Sequence, residues 1–194
     1  PPREAARLVR SAGLDKMDDP DGLGNGLTES ASGRWIAQAE ALAHEAIATC
    51  YAQASNADGS PGGLPAGAAM VALRSSAEAP AQFAFDRGQL GGPAGLLAFV
   101  VSASRGERAE IERQVLAQAR EQLGLASLQP LRTVVEKRAT FACTPGLQRP
   151  GAFIAPGLWA AGDYVAGPYP ATLEGAVRSG QQAAEGLQAG CRIS

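Results

Sequence analysis

The stretch that most limits what this chain can fold into is residues 158–184, LWAAGDYVAGPYPATLEGAVRSGQQAA. Leu158, Trp159, Ala160 and Ala161 make a brief apolar run that stops at Gly162-Asp163. A strand ending in glycine and a carboxylate is a place where a ligand can approach backbone closely. A loop rich in Gly and Pro follows, and the segment that begins at Ala171 opens a helix. The first N–H groups of such a helix lack intrahelical acceptors and can face an electronegative group. Small residues at Gly175, Ala176 and Gly180 give that helix a face able to pack closely.

The rest of the chain is punctuated by 24 glycines and 13 prolines into short elements. Ala6, Val9 and Ala12 recur every three residues and predict a helix over residues 3–14. Residues 15–33 form a breaker-rich loop, and helical patterning resumes over 35–44. Strands are expected at 47–53, 69–73, 82–86 and 95–103. The last is continuously apolar and reads as buried on both faces. Ser104 and Glu107 stand at capping-box spacing, which starts a helix there. Ile111, Val115, Ala119 and Leu123 form its buried stripe, and Gly124 ends it. A strand over 133–142 carries Glu136, Lys137 and Arg138, as an edge or junction strand would, and 145–156 reads as a connecting loop. The order predicts an α+β fold: a mixed or antiparallel sheet with helices against it, then the closing strand and helix of an α/β nucleotide-binding domain.

Bulk properties exclude several functions. A formal net charge of −2 argues against nucleic-acid binding, which wants a basic face. No apolar run is long enough to span a bilayer, and no secretory leader pattern is present. Cys50, Cys143 and Cys191 have no metal-ligand spacing and read as reduced, buried thiols of a cytoplasmic protein. His44, in AEALAHEAI, is expected to be structural. There is no Ser-His-Asp set, no Walker motif, no metal cluster and no readable catalytic residue. The chain opens without Met and contains no GxGxxG, so it is expected to be the C-terminal part of a longer enzyme.

The run GDYVAGPYPATLEGAVRSG resembles the C-terminal flavin-contacting motif of the flavin amine oxidase and phytoene desaturase superfamily. With EKRATFACTPG and FDRGQLGG upstream, the resemblance narrows to its squalene-associated, FAD-dependent branch, the hydroxysqualene dehydroxylases. It runs from about Trp35 onward and is strongest over 136–180. The resemblance implies FAD as cofactor, with Gly162, Asp163, Ala171, Thr172, Leu173 and Ala176 as the contacting residues. It places Asp163 near the ribityl–pyrophosphate part of FAD, against the alternative of a turn Asp bonding its own backbone. It places the backbone of Ala171, Thr172 and Leu173 beside the isoalloxazine ring, and Thr172 serves equally as a helix N-cap.

For Gly180, tight helix packing is the better reading. Glu174 and Arg178 are expected to form a structural ion pair. Phe141, Tyr164 and Tyr169 either wall an apolar cavity or simply pack, and Cys143 is expected to be inert. The resemblance also implies that residues 1–149 are mainly substrate-domain region and that 150–194 return to the FAD-binding domain. The implied reaction is reductive dehydroxylation of hydroxysqualene to squalene. Carotenoid desaturation of the phytoene type, amine oxidation and a non-catalytic binding module are the alternatives. The implied partners are an isoprenoid lipid and an N-terminal dinucleotide-binding half. Nucleic acid is excluded, and any membrane contact is peripheral, at the inner membrane face.

Overall fold

Small residues on one strand facing large ones on its neighbour build the core of the larger sheet. In the computed structural model, which describes residues 2–14 and 30–191, β1 (His44–Ala54) turns Ala48, Cys50, Ala52 and Ala54 inward. β4 (Leu96–Val101) lies antiparallel to it in the register Ala48↔Val101, Cys50↔Phe99, Ala52↔Leu97. Each large side chain therefore sits beside a small one on the same face. Helix α3 (Arg108–Leu123) covers that face with Ile111, Val115 and Ala119, all buried.

Two short strands, β2 (Met70–Ala72) and β3 (Phe83–Asp86), extend the sheet on the β4 side. β5 (Leu128–Phe141) lies on the far side of β1, giving the order β2-β3-β4-β1-β5. The Ser55 N–H donates to Ser127 O at one end of the β1–β5 pair, and the Ala142 N–H to Ala43 O at the other, so these strands are antiparallel too. β4 and β5 thus run parallel to each other with β1 between them, and α3 makes the crossover.

Polar side chains complete this unit. Gln118, buried on α3, accepts from the Ala81 N–H and donates to Arg74 O and Ala81 O. Gln122 repeats the device one turn on, accepting from the Arg74 N–H and donating to Arg74 O. Asp86 ends β3 buried, its carboxylate accepting from the N–H groups of Leu64, Gly88 and Gln89.

The chain divides into two compact units, His44–Thr140 and Pro1–Ala43 with Phe141–Ser194. In the second, α1 (Pro2–Ser11) packs Ala6 and Val9 against α2 (Ala31–Ala41), which buries Trp35, Ile36 and Ala39. The Trp35 indole N–H donates to Gly151 O at 2.8 Å. A two-stranded hairpin follows, β6 (Phe153–Ala155) and β7 (Leu158–Trp159), turning at Gly157 with φ 75°. Its rings Phe153 and Trp159 meet edge to face at 5.4 Å. Helix α4 (Leu173–Cys191) closes the unit. An added Cβ on Gly186 would lie 2.3 Å from the Trp159 ring, so only glycine lets helix and hairpin come this close.

The α+β expectation holds, with an antiparallel sheet, and β5 takes the edge position its charges demanded. Several local expectations are corrected. The capping box does not form: α3 starts at Arg108 after Glu107, and the Ser104 hydroxyl has no hydrogen-bond partner among the described residues. The Ser104 N–H is bonded to Ala46 O, and the chain turns through Ala103 (φ 50°) and Gly106 (φ 93°) before the helix can begin. β4 is not buried on both faces, since Leu96 and Val100 are half-buried. Residues 153–155, read as loop, are a strand because they pair with the apolar run after them. α2 begins at Ala31, where the Ser30 hydroxyl accepts from the Gly33 N–H, and His44 opens a strand instead of ending a helix. Cys50 is buried as expected, whereas Cys143 is exposed. Of the loop expected at 15–33, residues 15–29 lie outside the described residues, as does the Cys191 side chain.

Candidate functional site

The turn between β7 and α4 is held by the helix that follows it. The Gly162 N–H donates to Ser179 Oγ at 2.8 Å. The Ser179 hydroxyl has Gly162 O at 2.9 Å and Ala176 O at 2.8 Å as acceptors for its one proton. Ser179 is buried, so this bond set is shielded from competing water. Gly162 has φ 154°, and a Cβ there would come within 2.6 Å of the Tyr164 ring. Only glycine admits the buried Tyr164 beneath the turn. Burial, together with the negative charge of Asp163, pushes the Tyr164 phenol above its ordinary value.

Asp163 is half-buried, and its carboxylate accepts no hydrogen bond and forms no ion pair among the described residues. Its backbone oxygen accepts from the Ala171 N–H at 3.3 Å, which closes the loop on itself. The self-bonded turn carboxylate is therefore not what the geometry contains. Tyr169 (φ 58°) and Ala171 (φ 56°) both occupy the left-handed region, a cost that the surrounding bonds must hold in place. Thr172 supplies two of them, donating to Tyr169 O at 2.7 Å and accepting from the Gly175 N–H at 3.0 Å. That second bond is the helix N-cap. A Cβ on Gly175 would lie 2.2 Å from Tyr169 O, so the helix entry is closed to larger residues.

The N–H groups of Leu173 and Glu174, the first two of α4, have no acceptor among the described residues. Leu173 itself is 88% exposed. The six sequence-derived residues thus fall on one short path. Gly162 and Asp163 form the turn, Ala171 and Thr172 the helix entry, and Leu173 and Ala176 the first turn of α4. The expected Glu174–Arg178 pair forms at 2.6 Å on the surface, with the Arg178 guanidinium 5.0 Å from the Tyr169 ring centre.

The aromatic residues do not share one cavity. Phe141 lines a cleft of about 450 Å³ with Cys143, Leu147, Arg149 and Pro170, while Tyr164 is core and Tyr169 is half-exposed beneath Arg178. A second cleft of about 540 Å³ lies between the β6–β7 hairpin and α4, lined by Phe153, Trp159, Gly186 and Leu187. Among the described residues no metal-ligand cluster occurs, and no helix is long and apolar enough to cross a membrane. Sequence reasoning missed Ser179 and Arg149. A serine between Arg178 and Gly180 on an amphipathic helix, and an arginine before Pro150, carry no local signal of their tertiary bonds.

Flavin containing amine oxidoreductases match this chain over residues 73–188, more than half its length and the whole of the turn–helix site. The chain belongs to that family. Hydroxysqualene dehydroxylase of Sinorhizobium fredii is 42% identical over 82 residues, covering 40% of this chain and 20% of the relative. The enzyme of that name from Rhodopseudomonas palustris is 48% identical over 63 residues, covering 31% and 15%. The aligned stretches thus span a fifth or less of these curated relatives. An oxidoreductase from Methanosarcina mazei shares the fold, with a TM-score of 0.53 and 16% identity, over 82% of this chain and 38% of that one. A flavin is the cofactor that the family implies, and the site fits one. Among the described residues it has a carboxylate without a partner and two N–H groups without an acceptor at a helix start, the kinds of group that hydroxyls and an electronegative ring edge require.

Proposed function

We propose that this chain contributes the C-terminal part of an FAD site in an oxidoreductase that acts on an isoprenoid lipid, most specifically one that converts hydroxysqualene to squalene. The observation that carries the flavin reading is the Asp163 carboxylate, half-buried and without a partner among the described residues, beside the open start of α4. The substrate reading rests on the similarity to the two hydroxysqualene dehydroxylases. A dinucleotide-binding half of the same protein supplies the phosphate cradle this sequence lacks. In this reading residues 150–194 belong with that half, and the substrate side is carried mainly by the part of residues 1–149 that forms its own compact unit, His44–Thr140.

Bound and reduced, the cofactor would supply the hydride that replaces the hydroxyl on the allylic carbon, the hydroxyl leaving as water with a proton drawn from solvent. The chain's own residues do the holding. Asp163 accepts hydrogen bonds from hydroxyls. Thr172 fixes the helix entry. The Leu173 and Glu174 N–H groups face developing negative charge, which a helix N-terminus favours. Gly162 keeps the turn low enough for close approach.

The test uses the full-length gene product. Purified protein should carry FAD, and Asp163→Ala should lose much of it; unchanged flavin content removes Asp163 from the site. Anaerobic incubation of the reduced protein with hydroxysqualene should yield squalene. Conversion of phytoene by the oxidised protein, with hydroxysqualene untouched, would replace the dehydroxylase reading with a desaturase.

A further inference from the structure

Arg149 reaches from the segment before β6 to the loop between Asp163 and α4. One of its terminal nitrogens donates to Val165 O at 2.7 Å, and the other donates to Gly167 O. The guanidinium lies 5.9 Å from the centre of the buried Phe141 ring, which backs it on one side. Next to it, Pro150 O accepts the Ala166 N–H at 2.8 Å. Residues 165, 166 and 167 are therefore each tied to the pair Arg149-Pro150. A planar fork of donors can hold two carbonyls at once, which an ammonium cannot do with the same geometry.

This grip sits where the loop most needs it. Gly167 has φ 156°, and the left-handed Tyr169 and Ala171 follow within four residues. On the upstream side the loop is anchored by Ser179 through Gly162, and on the downstream side by Thr172. Between those anchors, the described side-chain bonds to the loop come from Arg149.

We infer that Arg149 is a positioning residue, which sets the shape of loop 163–172 and through it the placement of Asp163 and the start of α4. The inference rests on the flavin reading only for its consequence; the grip on the loop can be measured without cofactor. Arg149 acts through backbone carbonyls.

The experiment compares wild type, Arg149→Lys and Arg149→Met in the full-length gene product. FAD affinity is titrated after flavin removal, and hydrogen exchange is followed at the Ala166 and Ala171 amides. Arg149→Met should weaken FAD binding about tenfold or more, as expected for two lost charge-assisted bonds. Exchange at both amides should accelerate, while amides of α3 keep their protection. Arg149→Lys, able to hold one carbonyl, should fall between, and it serves if the Met variant does not fold. Weaker FAD binding with unchanged exchange would mean that Arg149 meets the cofactor directly, and would overturn the inference. Unchanged affinity and unchanged exchange would also overturn it. If the wild type binds no FAD, the flavin reading fails. The exchange comparison then stands alone, with faster Ala166 and Ala171 amides upholding the grip and unchanged ones refuting it.

Discussion

Replacing Ser179 by alanine tests whether α4 holds the Gly162 turn. The hydroxyl accepts one bond, from the Gly162 N–H at 2.8 Å, and has one proton to give, to Gly162 O or Ala176 O. Two hydrogen bonds are therefore lost, each worth about 1 kcal/mol net, and the shielded Gly162 N–H is left unpaired at a further cost. Removing an oxygen of this size leaves little cavity, so the sum is about 2–3 kcal/mol. Both tryptophans, Trp35 and Trp159, lie in the unit that contains Ser179, so tryptophan fluorescence in urea reads that unit alone. With a slope of about 1–3 kcal/mol per molar urea, the midpoint should fall by about 1 M. Gln181→Ala, exposed on the same helix, should stay within about 0.5 kcal/mol of wild type. A Ser179→Ala midpoint indistinguishable from that of Gln181→Ala would refute the reasoning.

Gly186→Ala puts a methyl 2.3 Å from the Trp159 ring and should cost about 1–3 kcal/mol in the same assay; adding Trp159→Leu should recover part of it. Gln118→Leu strips three bonds from the 74–81 connection, and hydrogen exchange at the Ala81 amide should speed up markedly while buried β1 amides hold. The raised Tyr164 value has a definite pH signature. The protonated phenol is favoured in the folded state, so its contribution is intact below the ordinary tyrosine value and is lost as pH rises through the folded one. Urea midpoints should therefore drop at strongly alkaline pH in wild type and less so in Tyr164→Phe. The Glu174–Arg178 pair is exposed on both sides, and Arg178→Ala should leave the midpoint close to that of wild type.

Periodicity was legible wherever burial on one face repeats. The Ile111–Val115–Ala119 stripe and the Gly124 stop (φ 66°) both follow from short-range pattern. Charge on Glu136, Lys137 and Arg138 marked β5 as an edge, because the middle of a sheet cannot solvate three charges in succession. The capping box at Ser104 misled because spacing alone does not say whether the backbone is free to enter a helix. There the Ser104 N–H was already committed to Ala46 O. Residues 153–155 were missed as a strand because their hydrogen-bonding partner is the short apolar run at 158–159 and not a pattern of their own.

By itself, the amino-acid sequence picked out the candidate site. Gly162-Asp163, the Gly- and Pro-rich loop and the small-residue helix are contiguous, and their resemblance to a flavin motif needed no tertiary contact. Only the tertiary structure decided what holds that path in shape. Ser179 bonds Gly162 from 17 residues away, Arg149 bonds Gly167 from 18 away, and Trp159 leaves room for nothing larger than Gly186. A serine, an arginine and a glycine are each common on surfaces and in helices, and their roles exist only once the chain returns on itself. The same is true of Asp163. Its carboxylate was visible in the sequence, but that it has no partner among the described residues became apparent only when its neighbours were in place.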